Sequence, residues 1–147
     1  MKLQKLLYYA QAWHLVWDDQ PLFGERIEAW ANGPVVYEVY QLHRGQFTVT
    51  DWPAGSPSRL TTSERESVDV VLGTYADLNA RKLSHLTHAE QPWQEARHGL
   101  HPTDRSSAEI TQAAMQEYYS SLDSAQEAVP VDELTWDDWG TTPAATA

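Results

Sequence analysis

The amino-acid sequence predicts a mainly α-helical fold with a small β element, arranged as a compact single-domain bundle around a buried N-terminal aromatic helix. Apolar side chains recur at helical spacing in several segments, whereas a short run at Ile27–Trp30 favours an extended strand. The chain has 147 residues, of which 41% are hydrophobic, a size that suits one core and is small for two. These observations indicate one folded domain.

The first predicted element is a helix over about residues 2–17. Six apolar side chains follow helical spacing there: Leu3, Leu6, Leu7, Ala10, Trp13 and Trp17. Further aromatic and aliphatic residues widen this stripe, which indicates a helix that lies largely inside the fold. Pro21 and the residue before it disfavour continuation, so we expect the helix to end before residue 21.

A tight corner is predicted at residues 30–36, after the short strand. Gly33 supplies backbone freedom there, and Pro34 fixes its own φ and suits the first turn of a helix. We therefore expect a helix from Pro34 to about Arg44. Its apolar face would comprise Val35, Val39 and Leu42.

Three further helical regions follow a loop at about 45–60. Residues 63–66 resemble a capping box, which predicts a helix from Ser63 to about Ala80. Residues 84–97 indicate two short helical pieces divided near Pro92. The last helix is predicted over about 107–122, with Ile110 on its apolar side.

Charge is distributed unevenly along the chain. Residues 1–105 carry all ten Lys and Arg together with 13 Asp and Glu, whereas residues 106–147 carry eight acids and no base. From Asp123 onward the chain holds Pro130, Pro143 and six acids without a base, which is typical of chain that does not form a core by itself. We predict a domain over 1–122 and an acidic, flexible tail over 123–147.

Composition excludes several classes of function. The absence of cysteine excludes a disulfide scaffold, a thiolate metal site and a Cys nucleophile. No Lys/Arg cluster is present, so we expect no direct nucleic-acid binding. No apolar run is long enough for a bilayer and no secretory signal opens the chain, so we expect a cytoplasmic protein without a membrane partner. The net charge of −11 favours a basic protein partner or a solvated surface.

Three segments together carry a family resemblance. They are KLQKLLYYAQAW at 2–13, EAW through GPVV at 28–36, and LTH through PW and AR at 86–97. In order and spacing they resemble the Panacea domain of SocA-like antitoxins, a family also found in phage-associated proteins, over about residues 1–120. The resemblance implies a mainly helical domain encoded beside a toxin gene, which neutralises that cognate toxin by protein contact without a cofactor. It also implies an alternative, an adaptor that delivers the toxin to a AAA+ protease.

Candidate partner-binding residues lie near these segments and in the acidic tail: Trp30, Asn32, Tyr37, Trp93, Trp136 and Trp139. Large aromatics at helical or corner positions also build cores, so Trp30 and Trp93 have a structural alternative. Trp136 and Trp139, three positions apart among acids, favour either a segment that folds onto a partner or plain disorder. Residues expected to be architectural are Trp13, Gly33, Pro34, His88 and Pro92.

Histidines leave a third alternative, a small metal-dependent enzyme. His85 with His88, and His98 with His101, have the i, i+3 spacing of neighbours on a helix, and imidazole is a zinc ligand. His88 with Glu90 would also suit a general-base pair. No obvious nucleophile, phosphate-binding loop or paired carboxylates accompany them, so we predict neither a catalytic nor a metal site.

Overall fold

The computed structural model describes residues 2–46, 48–49, 52 and 55–127, without the side chains of residues 126 and 127. Helices and strands follow in the order α1 (Lys2–Asp18), β1 (Ile27–Trp30), β2 (Gly33–Val36), α2 (Tyr37–His43), α3 (Thr62–Tyr75), α4 (Ala80–Ala89), α5 (Gln91–Ala96), β3 (Glu109–Ile110) and α6 (Gln112–Glu127). A 3₁₀ turn, Pro57–Arg59, precedes α3. The predicted fold class, mainly α with a small β element, is confirmed. Among the described residues, none of the helices combines the length and apolarity that a bilayer crossing requires.

Helix α1 lies at the centre of the core. Helices α3, α4 and α6 and strand β2 all pack against it. Tyr8, Tyr9 and Trp13 are at most 2% exposed, and burial of such side chains stabilises the fold by about 1.5–3 kcal/mol each. The predicted inward stripe is only partly right, because Leu3 is half-buried and Trp17 is 41% exposed.

The buried side of α1 also carries four polar side chains that periodicity did not indicate: Gln4, Lys5, Gln11 and His14. Gln11 holds the segment that follows the helix. Its Oε1 accepts hydrogen bonds from the backbone nitrogens of Leu22 (2.7 Å) and Phe23 (3.2 Å), and its Nε2 donates to the Phe23 carbonyl (2.8 Å). These bonds compensate the loss of water around a buried amide. They also bring the chain back along α1 after the helix ends.

The sheet is antiparallel, with strand order β2-β1-β3. Ile27 lies opposite Val36 in the β1–β2 hairpin and opposite Ile110 in the β1–β3 pair. All three side chains are at most 2% exposed. The sheet therefore joins the core through one row of aliphatic side chains.

The predicted helix start at Pro34 is wrong. Pro34 lies in β2, and helix α2 begins three residues later at Tyr37. Because β2 is an edge strand, it tolerates a residue that lacks a backbone N–H. The predicted apolar face of α2 is also wrong, since Val35 is a buried strand residue and Leu42 is 59% exposed.

Helix α3 begins and ends earlier than predicted. Its N-cap is Thr61, whose side chain accepts a hydrogen bond from the Glu64 backbone at 3.2 Å, while Glu64 Oε1 accepts one from the Thr61 backbone at 2.8 Å. This capping box lies two residues before the expected Ser63. The helix ends at Tyr75, and Asn79 caps a separate helix α4.

The last helix is also displaced from its predicted range. Residues 109–110 form β3, so Ile110 lies in the sheet, and α6 starts at Gln112. Gln116 of α6 donates to the Leu15 carbonyl of α1 at 3.0 Å, which helps to hold the two helices together. Helix α6 continues past position 122 to Glu127. The division into domain and tail at 122/123 stays a prediction.

Candidate functional site

The β1–β2 hairpin is the frame of the candidate site. Ala31 and Asn32 form its two-residue turn between the paired residues Trp30 and Gly33. Gly33 has φ +117°, and a Cβ there would lie 2.5 Å from Cε of Lys5. Glycine is therefore required by the backbone conformation, and a side chain there would also displace the end of the Lys5 side chain.

Backbone carbonyls of the hairpin accept hydrogen bonds from side chains of α4, of α5 and of Arg97, the residue that follows α5. The carbonyls of Ala29, Trp30 and Asn32 accept hydrogen bonds from Arg97 Nη1 (2.9 Å), Trp93 Nε1 (2.8 Å) and Ser84 Oγ (3.1 Å), respectively. We call Ser84, His88, Trp93 and Arg97 the carbonyl clamp. The clamp fixes the turn against the helical body, because each bond restrains a different residue of the hairpin.

His88 completes the carbonyl clamp through a hydrogen bond with the Ala31 backbone. Its ring stacks on Trp93 with centroids 4.2 Å apart. Burial lowers the pKa of His88, and the nearby positive charge of Lys5 lowers it further. Nε2 of His88 has no hydrogen-bond partner among the described residues. A neutral imidazole that packs and positions the turn fits these surroundings.

Helix α1 holds the other side of the hairpin. Gln4 Oε1 accepts a hydrogen bond from the Val36 backbone at 2.8 Å, and Lys5 Nζ donates to the Pro34 carbonyl at 3.5 Å. Burial lowers the pKa of Lys5 to about 8. Because these two side chains use backbone groups of β2, the strand edge is covered by α1 instead of facing solvent.

An open groove of about 890 Å³ lies beside the clamped turn. It is lined by Glu28, Trp30, Ala31, Asn32, Tyr37, Tyr40, Thr103, Arg105, Ser106 and Ser107. The ring centroid of Trp30 lies 4.9 Å from that of Tyr40 and 6.2 Å from that of Tyr37. We call this the aromatic groove. It joins the hairpin, helix α2 and the segment that precedes β3.

The two charged residues of the aromatic groove differ in their partners. Glu28 Oε1 accepts a hydrogen bond from Trp30 Nε1 at 2.8 Å, and its Oε2 lies 3.7 Å from Arg26 Nε. Arg105 is exposed and makes no hydrogen bond or ion pair with the described part of the chain. The groove thus combines a cluster of aromatic rings with one guanidinium that has no partner among the described residues.

The structure brings together three of the six predicted partner-binding residues. Trp30, Asn32 and Tyr37 all line the aromatic groove. Trp93 lies behind the turn, is 8% exposed and belongs to the carbonyl clamp. Trp136 and Trp139 lie outside the described residues.

The residues expected to be architectural lie in the core and in the frame of the hairpin. Trp13 is buried and its Nε1 donates to Tyr75 Oη at 3.0 Å. Pro92 is buried in the first turn of α5, where its missing N–H is not needed. Gly33, Pro34 and His88 have the positions described above.

Glu90, which the sequence offered as a base partner of His88 or as a core hydrogen-bonding group, is a buried carboxyl group at the centre of the molecule. Glu90 is 1% exposed, and its Oε1 accepts hydrogen bonds from Tyr9 Oη (2.5 Å) and Tyr119 Oη (2.9 Å). Burial raises the pKa of Glu90 to about 8, while the two tyrosine bonds lower it in part. Its Oε2 has no hydrogen-bond partner among the described residues. No sequence signal marks Glu90 as buried, because it lies at the boundary between two helices.

The histidines do not assemble into a metal centre in the described ranges. These ranges contain no group of three or more His, Cys, Asp or Glu residues that could hold a metal ion. His88 contacts the hairpin, whereas Glu90 contacts two tyrosines. Their roles are separate, so the structure offers no general-base pair at these positions.

The chain is similar to one known protein family. Residues 3–94, more than half of the chain, match the family described as antitoxin SocA-like, Panacea domain. No curated protein and no solved structure is significantly similar to the chain. The matched range holds the hairpin, α1 and all of the carbonyl clamp except Arg97. The chain therefore belongs to the SocA-like antitoxin family with a Panacea domain and has the general role of an antitoxin.

Proposed function

We propose that this antitoxin neutralises a cognate toxin by direct protein–protein contact, and that the aromatic groove is part of the contact surface. The family implies a protein partner. One observation carries the choice of surface: Trp30, Asn32 and Tyr37 line one groove beside a turn that the carbonyl clamp holds in place. Aromatic side chains at such sites supply much of the binding energy in protein interfaces.

The clamp supports this proposal on energetic grounds. A binding loop that is ordered before association loses less conformational freedom when the partner arrives. Tyr37 is 38% exposed, so a partner that covers its ring would remove apolar surface from water and gain binding energy. Neutralisation by contact needs no catalytic group on the antitoxin.

Coexpression with the genomic neighbour tests the function itself. We expect the neighbour alone to arrest growth, and the pair to grow and to copurify. A neighbour that is harmless, or that does not copurify with this chain, contradicts the proposed antitoxin–toxin contact.

A matched pair of substitutions tests the surface. Tyr37→Ala removes an exposed ring from the groove, whereas Val70→Ala removes a 52% exposed side chain from α3 outside the groove. We expect about a tenfold loss of toxin affinity for Tyr37→Ala, the effect of an interface residue worth about 1.4 kcal/mol. Val70→Ala should bind like the natural chain. Equal affinities for both variants, with unchanged circular dichroism, would exclude Tyr37 from the interface.

Toxin turnover distinguishes simple blocking from delivery to a AAA+ protease. Under blocking, the half-life of the toxin is unchanged or longer when this chain is present. Under the adaptor alternative, the toxin disappears faster, and only while the protease is active. A pulse-chase measurement during growth rescue separates the two.

A further inference from the structure

We propose that the acidic C-terminal segment of this same chain occupies the aromatic groove, with an indole of Trp136 or Trp139 against its rings and a neighbouring aspartate on Arg105. The docking does not depend on the proposed function. Competition between the tail and a toxin for the groove does rest on the proposed function, since it requires that the toxin binds there.

The groove defines the chemistry of its occupant. Its rings offer a surface for an apolar or aromatic group. Both carboxylate oxygens of Glu28 have a partner, since Oε1 accepts from Trp30 and Oε2 lies 3.7 Å from Arg26. Arg105 remains unpaired among the described residues and suits a carboxylate. An aromatic residue beside a carboxylate satisfies both features.

The tail carries this combination of residues. The sequence at 134–139 is LTWDDW, which places Asp137 and Asp138 between two tryptophans. Residues 128–147 contain four acids and no Lys or Arg, so the segment opposes the charge of Arg105. Exposed ion pairs are individually weak, so most of the binding energy would come from the indole. The pair between the aspartate and Arg105 would orient the tail in the groove.

The tail is long enough to bring Trp139 to the groove from Glu127, where α6 ends. Helix α6 measures about 22 Å from its first to its last residue, and β3 just before it pairs with Glu28 of the groove. The end of α6 therefore lies within about 40 Å of the groove. The 12 residues from Glu127 to Trp139 span up to about 40 Å when extended.

Because the tail is part of the same chain, a weak contact is sufficient to keep the groove occupied. A tether whose average reach matches the distance between its two sites gives an effective concentration of about 1 mM, so a site with a Kd of about 0.1 mM would be about 90% occupied. A toxin competing for the same groove would then bind about tenfold more weakly than to a tail-free groove.

Fluorine NMR of the full chain labelled with 5-fluorotryptophan tests the docking without any toxin. Single Trp→Phe variants assign the Trp136 and Trp139 signals. We expect at least one of them to differ from its position in the urea-unfolded chain. Arg105→Glu should shift it about half of the way back, because replacing an exposed attraction by a repulsion weakens the site about tenfold and roughly halves the occupancy. Arg81→Glu, the same charge change at an exposed residue outside the groove, should leave it unchanged.

A charge exchange keeps the test decisive. Asp137→Lys with Asp138→Lys should release the tail, and adding Arg105→Glu to that variant should restore the docked signal. The proposal is overturned if both tail signals match the unfolded chain, if Arg105→Glu has no effect, or if the exchange fails to restore docking. It is also overturned if the signals change across a tenfold range of protein concentration, which would indicate the tail of a second copy. Growth rescue by the toxin pair is scored separately, so a failed antitoxin contact leaves this result standing.

Discussion

Replacing Glu90 with Gln is expected to remove a loss of stability that the natural chain undergoes as pH rises from about 5 to 8. Burial raises the pKa of Glu90 to about 8 from its ordinary value of 4.5. Between these two values the unfolded chain has released the proton while the folded chain still binds it. The free energy of unfolding therefore falls as pH rises through this window, and it levels off above about pH 8.

The size of the effect follows from the two pKa values. The two pKa values lie about 3.5 units apart, and over the 3 units from pH 5 to pH 8 a slope of at most about 1.4 kcal/mol per unit gives a loss of about 4 kcal/mol. Gln keeps the oxygen that accepts from Tyr9 and Tyr119. Its amide group replaces Oε2, which has no partner among the described residues, so no existing bond is lost. We expect Glu90→Gln to be as stable as the natural chain near pH 5 and more stable at pH 8.

Urea unfolding followed by helical circular dichroism at pH 5, 6, 7 and 8 measures this difference. Groups such as His88 titrate in both proteins, so subtracting the two pH profiles isolates Glu90. Glu117→Gln, at an exposed position on α6, is the control and should follow the natural chain. Parallel profiles for the natural chain and Glu90→Gln would refute the claim that Glu90 is protonated in the folded state at neutral pH.

Three further substitutions test the frame of the site and the start of α3 by thermal unfolding. Gly33→Ala should lower the free energy of unfolding by about 2 kcal/mol, because it adds a Cβ at φ +117° and 2.5 Å from a carbon of Lys5. Gly24→Ala, with open space around it, should lower it by less than about 0.5 kcal/mol. Thr61→Ala should cost about 1 kcal/mol and Ser63→Ala almost nothing, since Thr61 is the N-cap; equal costs would contradict that assignment. Arg97→Lys should cost about 2–3 kcal/mol, because one ammonium cannot serve the four carbonyls that the guanidinium contacts; an unchanged midpoint would contradict the carbonyl clamp.

Sequence patterns predicted correctly those helices and strands that are determined by residues close together in the sequence. The helical state of α1 and the extended run of β1 are confirmed because each pattern is complete within one segment. Pro34 illustrates the opposite case. Its fixed φ suits a helix start, yet Gln4 and Lys5, about 30 residues away, stabilise a strand at that position. Contacts at such separation are not visible in local periodicity.

The same limit applies to the candidate site. The motif residues Trp30 and Asn32 indicated one side of the aromatic groove, because they lie at the predicted corner. Tyr40 and Arg105 carried no motif and were not singled out. Arg105 joins the groove through contacts such as the pairing of β3 with β1, which joins segments about 80 residues apart. Its place in the groove is thus a property of the tertiary structure, not of any local pattern.

The carbonyl clamp separates the frame of the hairpin from the surface it presents. Ser84, Trp93 and Arg97 bind backbone oxygens, which every residue possesses, so these bonds do not depend on the side chains at positions 29, 30 and 32. The side chain of Asn32 is exposed, and its carbonyl is held whichever residue stands there. Under the proposed contact through the aromatic groove, changes at Asn32 should therefore alter partner recognition while leaving the turn in place. A fold built in this way can keep one rigid frame while the side chains that line the groove change.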